Sequence, residues 1–358
     1  MGIVKDEVIN YALRKVERTA GKVKGGFPHL TEGGHWKTTP NGSWTGGFWI
    51  GILWLGYLAT NDEKFLKLAH EWTLRLKPRK NDKIFDLGFL FYPSFASGYK
   101  ITNDENLRKV ALEAADTFAG LFHVRSGFIC QEILEGGRKF GRTAIDVMMN
   151  LPLLWWAYGE TGERRYYEAA RMHSIRTLEN LIEKNSPAIH AIDLDLKTGE
   201  IVRKLTLHGY SFDSCWSRGQ AWCIYGFTLA YNATKEKAFL NTAEGLADYF
   251  IKNLPADHVP YWDFNDPNIP NAIKDSSAAA IAWSGLITLS ELSGKPRYKK
   301  AEKEISNSLL TNYIAGEKHD GILAHGCFDM PKKIGVNECL IWGDFYFLEA
   351  MLKMQGLL

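Results

Sequence analysis

Four aspartates, an arginine and a tryptophan stand at similar distances ahead of repeated turns or in the matching place of the last segment. Asp86 lies 16 residues before Thr102, Asp146 15 before Thr161, Arg218 16 before Thr234, Asp275 18 before Ser293 and Trp44 16 before Thr60, while Asp344 takes the matching place in "IWGDFY". Two carboxylates facing each other across a site can divide acid and base roles, as in glycosidases. Tryptophan offers flat apolar faces to sugar rings. A guanidinium fork suits a carboxylate, which points to a uronic acid. Each aspartate also has an ordinary reading as a helix N-cap, and Arg218 as the salt-bridge partner of a rim aspartate. Asp86 and Asp146 stand apart because Phe85, Leu87, Ile145 and Val147 flank them. Desolvation by such neighbours raises a carboxyl pKa towards the range of a general acid. Asp275, followed by two serines, and Asp344, inside "WGDFYFLEA", read as structural.

The elements that must carry these residues show in the turns "TNDEKF", "TNDENL", "TGERRY", "TKEKAF" and "SGKPRY". Each is read as a helix start, with the hydroxyl as cap, usually an acid against the dipole, and then the first core-facing side chain. Amphipathic segments such as "KFLKLAHEWTLRLK" follow, which are outer helices. Segments apolar on most sides precede the turns, for example "GGFWIGILWLGYLA" and "DVMMNLPLLWWAYG". A helix apolar nearly all round is buried. The N-terminal stretch, with Val4, Val8, Ile9, Leu13 and Val16 among charges, adds an outer helix, and "WGDFYFLEAMLKM" adds an inner one. Six inner and six outer helices predict an all-α (α/α)6 toroid, one domain over residues 1–358. An open solenoid of the same hairpins is the alternative. At about 1.5 Å of rise per residue, the equal spacing sets the polar residues on one rim of the inner ring.

Bulk properties narrow the function further. A formal charge of +2 with no Lys/Arg-rich run argues against a nucleic-acid partner. The five cysteines are scattered without metal spacing and read as reduced thiols. No run of about 18 apolar residues suggests a membrane span. Gly2 is not followed by the Ser or Thr of a myristoylation site, since position 6 is Asp. A cytoplasmic protein, monomer or homodimer, with no metal and no cofactor, is the expectation. Among the histidines, His208 sits just before the rim and His190 in a loop after Pro187.

The stretches "SWTGGFWIGILWLGYLATND", "DLGFLF", "IDVMMNLPLLWWAYGETG", "HGYSFDSCWSRGQAWCIYGF", "VPYWDFNDP", "DSSAAAIA" and "IWGDFYFLEAML" together resemble the unsaturated glucuronyl hydrolases of glycoside hydrolase family 88. The resemblance runs from about residue 27 to the C-terminus, in order. It implies an (α/α)6 barrel acting on lyase-generated oligosaccharides of glycosaminoglycan type, whose non-reducing uronate carries a C4–C5 double bond. It implies Asp146 as catalytic acid/base and Asp86 as the second essential aspartate. It implies Arg218, Trp222, His208, Trp44 and His190 as residues lining the uronate subsite. Asp146 would protonate C4 and its carboxylate would activate water for addition at C5, which calls for a carboxyl poised near neutral pH. Departures fall at Phe85, where some relatives have His, at "WTGGFW", and at "GFICQE", which lacks a Trp. Lys332 and Lys333 are candidates to meet a sulfate on the adjoining sugar, or else a solvated loop pair. The competing functions are an unsaturated rhamnogalacturonyl hydrolase, a sugar epimerase and a non-catalytic sugar-binding protein. The epimerase would need histidines on the inner helices, which have none.

Overall fold

The computed structural model describes residues 5–23, 25–184 and 186–358. Gly2 and Val4 lie outside them. Outer and inner helices alternate along the chain. Outer α1 (Lys5–Lys22) is followed by inner α2 (Gly46–Thr60) and outer α3 (Glu63–Leu76). The next inner segment is α4 (Leu87–Phe91), a π-turn at Tyr92–Ala96 and α5 (Ser97–Thr102), backed by outer α6 (Glu105–Ala119). Inner α7 (Pro152–Thr161) and outer α8 (Arg164–Leu181) come next, then inner α9 (Ser217–Thr234) and outer α10 (Lys237–Lys252). Inner α11 (Ser276–Ser293), outer α12 (Pro296–Asn312) and inner α13 (Ile341–Met354) complete the set. The last inner helix packs against both α2 and α1, so the ring closes and the open solenoid is excluded.

Residue type explains the two rings. On α3 the buried positions Phe65, Ala69, Trp72 and Leu76 recur at helical spacing and leave the charged face to solvent. Helix α2 is buried from Gly46 to Gly56 because both of its sides meet other helices. Pro93 lacks an amide hydrogen, and the α4–α5 segment accommodates it in the π-turn.

The turns work differently from the reading of their hydroxyls as N-caps. Thr60 ends α2 and donates to the Gly56 carbonyl at 2.7 Å, and the residue after it, Asn61, is left-handed at φ 56°. The cap of α3 is Asp62, whose side chain accepts from the Lys64 amide at 2.8 Å. Thr102, Thr161 and Thr234 repeat the backward bond to the carbonyl four residues earlier. The hydroxyl therefore closes an inner helix; the acid two residues on opens the outer one at Asp62 and Asp104.

Short strands, absent from the all-α reading, cover the end of the ring where the inner helices begin. β1 (Phe27–Glu32) pairs with β2 (His35–Thr39), and β3 (Phe122–His123) pairs with β4 (Phe128–Ile129). A four-stranded antiparallel sheet runs β5 (Gln131–Glu135), β6 (Arg138–Ala144), β7 (Ala191–Leu194), β8 (Ile201–Leu205). A last hairpin joins β9 (Gly326–Asp329) to β10 (Ile334–Glu338).

Candidate active site

The four-stranded sheet delivers the central residues of the site. β6 runs into a 3-10 turn at Ile145–Met149 that carries Asp146, and β7 begins one residue after His190. The Ile145 amide donates to the His190 carbonyl at 2.8 Å, which extends the β6–β7 pairing to both residues. Asp146 is not the cap of α7; Leu151 stands at that position, with Pro152 at the start of the helix.

Asp86 precedes α4 at the N-cap position, yet its side chain makes no capping bond. Its segment is fastened to that of Asp146 through Asn150. The Asn150 Oδ1 accepts from the Phe89 amide at 2.6 Å, and its Nδ2 donates to the Asp146 carbonyl at 3.1 Å. Gly88 permits this approach, because a Cβ there would lie 2.2 Å from the Asn150 carbonyl oxygen. Burial, reinforced by the charge of Asp146, pushes the Asp86 carboxyl up to about 8. The charge of Arg79 pulls the other way, but among the described residues the carboxyl makes no hydrogen bond or ion pair.

His190 lies beside both Asp146 and His208. His190 is buried, stacks on Trp216 with ring centroids 4.3 Å apart, and places Nε2 3.7 Å from Oδ2 of Asp146. Its Nδ1 lies 3.2 Å from the Leu207 amide and 3.4 Å from the His208 amide, so it accepts from both. The proton of the neutral ring is therefore on Nε2. His208 lies 5.4 Å away, ring to ring, and gives Nδ1 to Asp329 at 2.9 Å. Burial first, then the charges of His190 and Arg218, push His208 down to about 4 against the opposing pull of Asp329.

Arg218 has the salt-bridge role. It is buried, paired with Asp275 at 3.0 Å, and its Nη2 donates to the Phe328 carbonyl at 2.8 Å. Its guanidinium carbon lies 4.4 Å over the Trp216 ring. Asp275 also caps α11 through the Ser277 amide, and Asp344 accepts from the Ile322 and Leu323 amides, both at 2.9 Å. Both aspartates are structural, as their sequence contexts suggest. Trp222 is buried against Phe89, while half-buried Trp44 lies 4.8 Å from Trp342 and 6.2 Å from Phe328. Lys332 is turned back onto Asp329 at 2.7 Å.

Sequence reasoning missed His29, Phe328 and Asp329. His29, on β1, touches Trp44, Phe328 and Trp342, and burial pushes it down to about 4. Phe328 touches His208 as well as Trp44, so it bridges the two sides of the mouth. Both sit on hairpins whose strands are too short to show a periodic signal.

Phe48, Phe89, Phe345 and Tyr346 contact one another across the lumen and continue to Trp222. Beyond this layer a cavity of about 510 Å³ reaches the opposite end, where Glu349, Lys353 and Tyr225 form a polar cluster.

A ring of helical hairpins, with paired acids, two imidazoles and aromatic faces at one mouth, is the plan of a sugar-processing α/α toroid. The chain belongs to Glycosyl Hydrolase Family 88, whose model matches residues 19–355. It is a glycoside hydrolase. An unsaturated chondroitin disaccharide hydrolase of Streptococcus pneumoniae is 36% identical, over 98% of this chain and 92% of that protein. The solved structure of an unsaturated glucuronyl hydrolase specific for heparin superposes with a TM-score of 0.94 at 30% identity, covering 98% of each chain. That of a glycosaminoglycan-degrading unsaturated glucuronyl hydrolase from Bacillus sp. GL1 gives 0.93 at 32% identity, covering 98% of this chain and 97% of the other. No described helix is long and apolar enough to cross a membrane.

Proposed function

We propose that this chain is an unsaturated glucuronyl hydrolase, removing the non-reducing 4,5-unsaturated uronate from glycosaminoglycan fragments, with the whole toroid as one catalytic unit. One observation carries the reading: two carboxylates, neither used as a helix cap, sit on segments joined by Asn150, and the charge of one raises the other. Asp86 therefore keeps its proton near neutral pH, so it stands beside Asp146 as a neutral acid. An anionic uronate favours the protonated form of a carboxyl beside it. Asp146 then delivers a proton to C4 of the vinyl ether. Its carboxylate takes a proton from the water that adds at C5, and the hemiketal so formed opens with loss of the glycosidic bond. Asp86, protonated below about 8, donates a hydrogen bond to substrate or water.

The remaining site residues have supporting roles. His190 Nε2–H faces Asp146; His208, Trp44 and Phe328 line the ring, and Trp222 backs Phe89. Arg218 acts through the Phe328 carbonyl and as a buried positive charge beneath Trp216. The relatives named for chondroitin and heparin support a glycosaminoglycan source. Five buried, unpaired thiols fit a reducing, cytoplasmic setting.

The test is loss of the near-ultraviolet absorbance of the C4–C5 double bond, with sulfated and unsulfated lyase-derived disaccharides and a pectin-derived one. Wild type should consume a glycosaminoglycan disaccharide. Consumption of the pectin fragment alone would move the function to the rhamnogalacturonyl side, and no consumption would leave a binding protein.

A further inference from the structure

The two neighbouring imidazoles have opposite hydrogen-bond surroundings. His190 Nδ1 faces two backbone N–H groups and the Thr206 hydroxyl at 3.2 Å, so it must accept and its proton sits on Nε2. His208 Nδ1 faces the Oδ2 of Asp329 at 2.9 Å, a group that accepts only when ionised. Lys332 keeps it ionised, with Nζ 2.7 Å from Oδ2 and its backbone amide 3.1 Å from Oδ1. Among the described residues, His208 Nε2 has no protein partner.

We propose that Asp329 is a positioning residue that holds His208 in its Nδ1–H form, leaving Nε2 as a lone-pair acceptor for a hydroxyl of the bound sugar. The acceptor role rests on the hydrolase reading above; the tautomer itself does not. His190 then presents a proton, and His208 presents a lone pair, from rings 5.4 Å apart. Asp329 is well placed for this task. It ends β9 directly after Phe328, whose carbonyl is held by the buried Arg218, so its backbone is fixed independently of His208. Burial alone would raise its carboxyl, but the bonds from His208 and Lys332 outweigh that and hold it well below the usual carboxylate range.

The experiment is long-range proton–nitrogen correlation on the full chain labelled with ¹⁵N-histidine, with His190→Gln and His208→Gln used to assign the two rings. His208 should show the pattern of Nδ1–H and His190 that of Nε2–H, in wild type and without substrate. Nε2–H on His208 would overturn the proposal whatever the enzyme turns over. Asp329→Ala should abolish the Nδ1–H pattern of His208 while leaving that of His190. It should also lower kcat/KM on the consumed disaccharide at least tenfold, with the larger part in KM. An unchanged His208 pattern or unchanged kcat/KM in that variant would equally refute it. If Asp329→Ala does not fold, the wild-type spectrum still decides the tautomer.

Discussion

His190 points Nε2 at Oδ2 of Asp146 across 3.7 Å, and no protein acceptor other than Asp146 competes for that nitrogen among the described residues. The distance is long for a hydrogen bond, so the contact orients the ring without locking it to Asp146. His190→Phe should lower kcat by about 10- to 100-fold, within the range of general acid–base effects. The rate of disaccharide consumption checks it.

Asp146→Asn keeps the shape of the side chain and removes its titration. Turnover should fall by roughly 10²–10⁴-fold or more, as expected for loss of a general acid–base group, while disaccharide binding persists. Calorimetric titration beside the absorbance assay separates the two.

Asp86 gives a stability signature independent of substrate. Its carboxyl is raised to about 8 in the fold, above an ordinary unfolded value of about 4. The folded state therefore binds more protons between those values, and stability falls as pH rises from about 4 to about 8. Asp86→Asn removes this loss. Its melting temperature should exceed that of wild type by about 2 °C or more at pH 9 and converge with it near pH 4, since about 1 kcal/mol moves a protein of this size by a few degrees at most. Thermal denaturation across that range tests the sign.

The Arg218–Asp275 pair is buried on both sides. Asp275→Ala leaves an uncompensated guanidinium beneath Trp216 and removes the cap of α11. A loss of about 3–5 kcal/mol is expected for breaking such a pair from one side. Urea denaturation should show it, with activity lost in the same step because the Phe328 carbonyl is released.

Gly88→Ala forces a methyl group to within 2.2 Å of the Asn150 carbonyl oxygen. Backbone must move, at about 1–3 kcal/mol or more for an overpacked site, and the two aspartate segments separate. Activity should drop far more than stability, which the absorbance assay and a melting curve together reveal.

The sequence made the toroid legible because its turns repeat and its inner segments are apolar all round. It singled out Asp86 and Asp146 because each stands alone against apolar neighbours, and their segments are joined through Asn150. The roles of the turn threonines were misplaced, since a hydroxyl that ends one helix and an acid that begins the next are only two residues apart. The strands that place Asp146, His190 and His208 were not legible. β6 and β7 are separated by a whole helical hairpin, and pairing at that range leaves no periodicity in either strand. Asp329 was invisible for a similar reason: its partner is 121 residues away. The pairing of Arg218 with Asp275 spans 57 residues and leaves no mark in the local sequence of either.

All six inner segments begin at the mouth that holds Asp86 and Asp146 and end at the Glu349–Lys353 end. Peptide dipoles aligned in this way give each N-terminus the character of about half a positive charge, acting within roughly a turn of the helix end. With a net charge of only +2, the protein has little long-range attraction for an acidic sugar. The parallel ring turns the positive ends of its peptide dipoles towards one mouth and the negative ends towards the other. Chain direction alone makes the two ends of the toroid electrically unlike.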